Sequence, residues 1–469
     1  MRSRKSVIRS LSALLVIATM LAGMAACGQT APATPAASSS ASTSASASAE
    51  ASSEAPATND KPVTLRMITW VQETNEKGIA DVNAAFSAKY PNVTVVVDTV
   101  GANDYPTLQN TRIAAADVDI ITNLSAFDSL PQDFTKGADK PAWETFIEGG
   151  SYLDITDQPF IKNWDPNMIA NAVSYKGRVY GIDMGSVGYN GLFYNKKLFA
   201  QYNLAEPGTW ADFENVCKTL RDNGVEPITL GMADGWPLTS IAVSGIVGAN
   251  ETDMTAFAKG LWEGTRKFTD DASMKIFNRM EQFVSFLEPN ISSVTYGDAP
   301  GRFVAGKAAM LYDGTWNAGT IAALDPAFEF GYFCVPGDVD GKPNQLQGKY
   351  DMQFNIYANS ENKETALKYF DFLSQPDVYG PFVSTLGFFP TMPGVQTTSA
   401  FVNAMADKNT AFKPSWEKVI IAPKGVGQYA AGQCFAIGQL KVLGGTVENV
   451  AELAKLAQQD WDAAVAAIQ

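Results

Sequence analysis

Histidine is absent from all 469 residues. That excludes Ser-His-Asp and Cys-His catalytic arrangements and the H-E-x-x-H metalloprotease helix. Cysteine is nearly absent: Cys27, Cys217, Cys334 and Cys434 show no C-x-x-C spacing. With no histidine to share a metal, neither a zinc site nor a disulfide scaffold is expected. Cys217, Cys334 and Cys434 are expected as buried thiols, with at most one disulfide among them. A Walker-type glycine loop is missing too, so phosphate cradling by that device is excluded. Positive charge is scarce, 35 Lys and Arg against 49 Asp and Glu, a net −14. Such a chain is a poor partner for nucleic acid and for anionic lipid head groups. What the composition leaves open is a pair of carboxylates arranged for glycoside hydrolysis, since acids are plentiful.

What is present begins with a targeting segment. Arg2, Arg4, Lys5 and Arg9 precede the apolar run 11–24 and then Ala25-Ala26-Cys27. This reads as a signal peptide over 1–26, too short for a comfortable membrane span. Small residues directly before Cys27 resemble a lipobox, which implies that Cys27 is lipidated and tethers the chain to the membrane. Plain secretory cleavage near Ala26, with Cys27 incidental, is the alternative. Removing 1–26 takes away four positive charges and leaves the mature chain at −18. Residues 28–60 are almost wholly Ala, Ser, Thr and Pro. A segment of that composition cannot bury enough apolar surface to offset its ordering entropy, so 27–60 is expected as a disordered leash spanning roughly 30 Å.

The body from Lys61 is long and apolar enough for two domains. A strand at 63–71, a helix capped by Thr74 or Asn75, and a strand at 93–100 make a βαβ unit. A helix at 104–116 and a strand at 118–122 extend it into a parallel sheet. Ligands bind beyond the carboxyl ends of such strands, which places Trp70, Asn123 and Phe127 among the candidates. Residues 143–164 read as loop-rich, 210–222 as a helix capped by Thr209, 241–287 as mostly helical, and 363–373 and the C-terminal stretch from Val450 as helices.

The stretch 180–210, YGIDMGSVGYNGLFYNKKLFAQYNLAEPGTW, reads as a chain crossing between two lobes, with Gly185 and Gly188 supplying the backbone freedom of a hinge. It resembles the Y-G-I-P … L-x-Y-N-K-x-L-F … P-x-T-W-x-E-F signature of extracellular solute-binding proteins of the maltose-binding type that serve sugar ABC importers. Asp183 stands where that family usually has proline. The runs Tyr152-Leu-Asp-Ile-Thr156, Asp234-Gly-Trp-Pro-Leu238 and Gly301-Arg-Phe-Val-Ala-Gly-Lys-Ala-Ala-Met310, with Asp313-Gly-Thr-Trp316 after it, resemble further family motifs.

The resemblance implies an α/β fold of the two-lobed periplasmic-binding-protein type II class, with a cleft and three inter-lobe crossovers. Lobe one would hold 63–184 and 348–385, and lobe two 187–337 and 390–469. It implies capture of a carbohydrate, an oligosaccharide, outside the cell and its delivery to permease subunits by a monomer that needs no cofactor. A sugar binder needs flat aromatic faces for pyranose C–H surfaces and planar polar groups for hydroxyls. Trp70, Tyr189, Trp236, Trp316, Tyr350 and Phe388 lie near inferred strand ends or crossovers, with Asn123, Asp313 and Asp351 beside them. Trp316 and Trp236 rank first, whereas Trp210, Trp262 and Trp461 fall on helical faces and read as core. An adhesive glycan-binding lipoprotein, a binder of a non-sugar solute such as a polyamine, and a glycoside hydrolase are the competing readings.

Overall fold

Val63–Trp70, apolar or β-branched at every position but Arg66, forms strand β1, and helix α1 follows over Glu73–Lys89. The computed structural model describes residues 61–124, 127, 132–338, 345–409 and 413–468. The expected signal peptide, Cys27 and leash lie outside them. Helix α1 starts one to two residues before the expected caps, with Gln72 at the N-cap. Thr74 and Asn75 are buried in its first turn and cannot serve as caps. The Thr74 methyl faces Gly319, where an added Cβ would stand 3.0 Å away.

Strand β2 (Val93–Val100), helix α2 (Tyr105–Ala114) and strand β3 (Ile120–Asn123) complete the first layer. Both β2 and β3 pair with β1 in parallel, the geometry that a right-handed βαβ crossover produces. Residues 143–164 are not simply loop: Ala142–Glu148 is an α-helix and Pro159–Asn163 a 3-10 turn. The buried Trp143, Ile147 and Phe160 account for the order there, because each carries a large apolar side chain into the core.

The chain then runs through β4 (Ile182–Gly188), wholly buried, and after two residues enters β5 (Gly191–Asn195). Asn195 caps the helix Lys196–Gln201, and Thr209 with Asp212 forms a capping box on the helix Trp210–Asp222. Strands β6 (Ile228–Thr229), β7 (Met310–Tyr312) and β8 (Phe330–Cys334) join β5 in a second sheet of order β8-β5-β7-β6. Helices Val243–Asn250, Met254–Glu263 and Asp271–Ser285 fill the stretch expected to be helical. Strand β9 (Gln347–Ile356) returns to the first sheet, antiparallel to both β3 and β4, and the two-residue β10 (Lys413–Pro414) closes the order β10-β9-β3-β1-β2. Helices Lys363–Leu373, Pro376–Leu386 and Val450–Ile468 complete the frame.

The two sheets are therefore joined at Tyr189–Asn190 and again between β8 and β9. Part of that second link, 339–344, lies outside the described residues. Buried Asn190 stitches the two links together: its Oδ1 accepts the Gln347 N–H at 2.9 Å, and its carbonyl accepts the Val335 N–H at 2.7 Å.

The glycines here serve packing more than freedom. An added Cβ would stand 2.7 Å from Phe388 Cβ at Gly185, 2.6 Å from Leu346 at Gly188 and 1.7 Å from the Val187 carbonyl oxygen at Gly348. Gly387 alone among the four has open space, at φ 71°, as the left-handed C-cap of Pro376–Leu386. Trp210, Trp262 and Trp461 are buried core, and Cys217, Cys334 and Cys434 are buried and unpaired. Burial pushes all three thiols up, Cys334 to about 12, so none is reactive near neutrality.

Candidate binding cavity

The carboxyl ends of β1, β2 and β3 converge on one wall of a cavity of about 690 Å³ between the two sheets. Trp70 and Gln72 come from the end of β1, Gly101 to Asp104 from the turn after β2, and Leu124 from the residue after β3. The facing wall is built by Asp234 and Trp236, by Thr295 to Gly297, by Trp316 and by Glu417. Tyr189, on the link from β4 to β5, and Lys349 and Asp351, on β9, close the side where the sheets join.

Five aromatic rings, Trp70, Tyr189, Trp236, Tyr296 and Trp316, thus share one space. Trp236 lies against Tyr296 with centroids 4.6 Å apart, and Trp316 against Tyr189 at 5.8 Å. Trp70 is fixed edge-on by Tyr105 at 5.8 Å. The Trp316 ring folds back over its own turn, where a Cβ on Gly314 would stand 2.2 Å from it, so only glycine permits that approach. The indole N–H of Trp316 donates to the Tyr296 hydroxyl at 2.5 Å.

Lys349, Asp351 and Glu417 in the wall each have a partner of opposite charge. Lys349 Nζ is 3.2 Å from Asp351 Oδ1, donates to the Leu124 carbonyl, and lies 6.0 Å from the Trp316 centroid. Burial raises the Asp351 carboxyl, with Lys349 opposing that rise. Glu417 accepts the Tyr189 hydroxyl at 3.1 Å and stands 3.6 Å from Lys418. Burial would raise Glu417, but Lys418, Lys349 and the Tyr189 hydroxyl outweigh it and hold the carboxyl below its ordinary value. Immediately after Asp351, fully buried Met352 sits at φ 59°, a left-handed kink costing a non-glycine residue about 1–2 kcal/mol.

Of the ten residues singled out in the sequence, Trp70, Tyr189, Trp236, Trp316 and Asp351 line the cavity, and the other five do not. Asn123 is tied into the first sheet's packing, accepting from Gln109 at 2.6 Å and from Tyr152 at 3.2 Å. Phe127 is core, stacked on Trp143 and Tyr152. Phe388 is buried against Gly185, and Tyr350 is half-buried on β9 outside the lining. Asp313 is buried behind the wall, accepting from its own Gly314 N–H at 2.7 Å and from Asn317 Nδ2 at 2.6 Å. Sequence reasoning missed Tyr296, Lys349, Glu417, Asp234 and Gln72. Tyr296, next to Gly297, and Lys349, next to Tyr350 and Asp351, carried the same signal as the chosen residues, an aromatic or polar group beside a glycine or crossover. Nothing local marks Glu417.

The family described as bacterial extracellular solute-binding protein matches residues 71–379. The multiple sugar-binding protein of Streptococcus mutans is 22% identical over 333 residues, covering 70% of this chain and 73% of its own. Among solved structures, RafE in complex with raffinose superposes with a TM-score of 0.66 at 17% identity, covering 87% of this chain and 99% of that one. A chitin oligosaccharide binding protein superposes equally well, TM-score 0.66, at 21% identity over 86% and 99% of the two chains.

Proposed function

We propose that this chain, which belongs to the bacterial extracellular solute-binding protein family, is the substrate-binding component of an ABC importer. In this reading it captures an oligosaccharide in the cavity between its sheets and delivers it to permease subunits without covalent chemistry. The observation that carries the reading is the convergence of Trp70, Tyr189, Trp236, Tyr296 and Trp316 on one space. Stacked rings present the apolar faces a pyranose needs, and the carboxylates and amides between them can satisfy hydroxyls. The internal pairing of Lys349 with Asp351 and of Glu417 with Lys418 suits a neutral ligand, because each charge already has its counter-ion.

The lobes assigned to this reading are 63–184 with 348–385 and 187–337 with 390–469. Membership of β1, β2, β3 and β9 in one sheet and of β5 to β8 in the other supports that division, while the first sheet also takes in β4 as far as Gly188 and β10 from the stretch 390–469. Closure of the lobes on the ligand, a monomeric state, and anchorage on the outer face of the membrane through a lipidated Cys27 belong to the same proposal. Among the described residues no helix is long and apolar enough to cross a membrane.

A second reading, a cationic solute such as a polyamine, draws on the wall's acids Asp104, Asp234, Asp351 and Glu417 against Lys349 alone. A melting-temperature screen separates the two. A ligand that binds only the folded chain raises its melting temperature by mass action. Raffinose, stachyose or chitin oligosaccharides should do so. A rise with spermidine and none with any neutral saccharide would overturn the sugar reading.

A further inference from the structure

Asp313 stands behind the cavity wall yet is bonded to the groups that hold two of its aromatic faces. The Tyr296 hydroxyl accepts two N–H groups, from Trp316 Nε1 at 2.5 Å and from Asn317 Nδ2 at 2.8 Å. Asn317 Nδ2 also donates to Asp313 Oδ2 at 2.6 Å, so the amide links the carboxylate to the phenol.

We propose that Asp313 is a positioning residue whose ionised carboxylate, acting through Asn317 and the Tyr296 hydroxyl, fixes the Tyr296 and Trp316 rings for ligand and couples affinity to its own protonation. This rests on the reading of the cavity as the ligand site. Two donors reach the carboxylate, the Gly314 N–H at 2.7 Å and the Asn317 amide at 2.6 Å. A proton on Asp313 adds a third donor to this buried cluster and weakens the carboxylate's hold on the amide. If the amide turns, the Tyr296 hydroxyl loses one of its two donors, and Trp316, which donates to that hydroxyl, and Trp236, packed on its ring, lose their support.

The chemistry around the carboxyl makes this happen in an accessible range. Asp313 is buried, 1% exposed, and burial pushes its carboxyl up to about 7, with the hydrogen bonds to it opposing the rise. The charged and titratable groups nearest the network lie one shell out. Asp351 acts on Tyr296, Lys349 stands over Trp316, Asp234 accepts the Tyr296 N–H at 2.7 Å, Tyr189 packs on Trp316, and the Tyr332 hydroxyl donates to the Asp313 carbonyl at 3.2 Å.

Tryptophan emission of the ligand-free protein, followed across about pH 5 to 9, tests the proposal without knowledge of the ligand. The wild type should show an inflection near pH 7 that vanishes in Asp313→Asn, which is isosteric and cannot ionise, and shrinks in Trp316→Phe, which removes one of the two reporting rings and leaves Trp236. A purely structural aspartate would lower the melting temperature without creating a titrating signal. A folded Asp313→Asn that keeps the inflection, or a wild type that shows none, overturns the proposal. Should Asp313→Asn fail to fold, Tyr296→Phe keeps both rings and removes only the bridging hydroxyl; it too must lose the inflection, and its retention overturns the proposal. With raffinose or a chitin oligosaccharide as probe, wild-type affinity should fall by about tenfold on passing below the inflection, the effect of one hydrogen bond to a charged group. Asp313→Asn should show no such fall. Failure of both saccharides to bind would count against the sugar reading alone, because the emission titration decides the role of Asp313 independently.

Discussion

Gly348 lies opposite Gly188 in the antiparallel pair β4–β9, and so close to the preceding residue that a Cβ on Gly348 would stand 1.7 Å from the Val187 carbonyl oxygen. The joint between the sheets therefore requires glycine for lack of room. Gly348→Ala should destabilise the fold by about 3 kcal/mol, the upper part of the range for overpacking, because backbone must move. Gly387→Ala meets nothing and should cost only the left-handed strain of about 1–2 kcal/mol. Urea denaturation of both variants checks this. Equal losses would mean that conformational freedom, and not close approach, is what glycine supplies at the joint.

Trp316→Ala and Trp236→Ala should each weaken oligosaccharide binding by about tenfold, on the order of 1–2 kcal/mol for one lost stacking face. Phe127→Leu should lower stability and leave affinity alone, since that ring packs on Trp143 and Tyr152 in the core. Calorimetric titration of the three variants tells the sets apart. Normal binding by either tryptophan variant would assign that ring to packing.

The contrast between Trp70 and Phe127 shows where sequence reasoning reaches. Trp70 and Phe127 were both placed by topology near the ends of parallel strands, and topology was right about the strands: β1 and β3 pair in parallel as the βαβ pattern requires. Whether a side chain at a strand end points into the cleft or into the core depends on a turn of one residue, which periodicity does not resolve. The N-cap at Thr209 and the helix Lys363–Leu373 were legible because their signals are local. Glu417 was invisible because it meets Tyr189 only through tertiary packing across more than two hundred residues. Asp313 was read as a ligand contact from its place beside Trp316, but the Asp313-Gly314 turn sends its carboxylate behind the wall, toward Asn317.

Stability should carry the mark of Asp313. Its folded carboxyl, near 7, lies above an unfolded value of about 3.9, so the folded chain keeps a proton that the unfolded chain releases. The stability this contributes is full below about pH 4 and is lost as pH rises through 7, on the order of 3–4 kcal/mol in total. The difference in unfolding free energy between wild type and Asp313→Asn should fall across that window. A flat difference would mean that Asp313 titrates as an ordinary carboxylate.

Under the proposed anchorage, Cys27→Ala should leave folding unchanged and release the protein from membranes, because residue 27 precedes the first strand, Val63–Trp70. Fractionation of cells that express the variant reads this out. Quantitative retention with the membrane would contradict lipid anchorage at Cys27.

Hydrogen–deuterium exchange with and without a saturating oligosaccharide tests most directly whether the ligand sits between the sheets. The account predicts added protection on both walls together: at 70–72 and 101–104 from the first sheet, and at 234–236, 295–297 and 316 from the other side. Protection confined to one wall, or to residues outside the cavity, would contradict it.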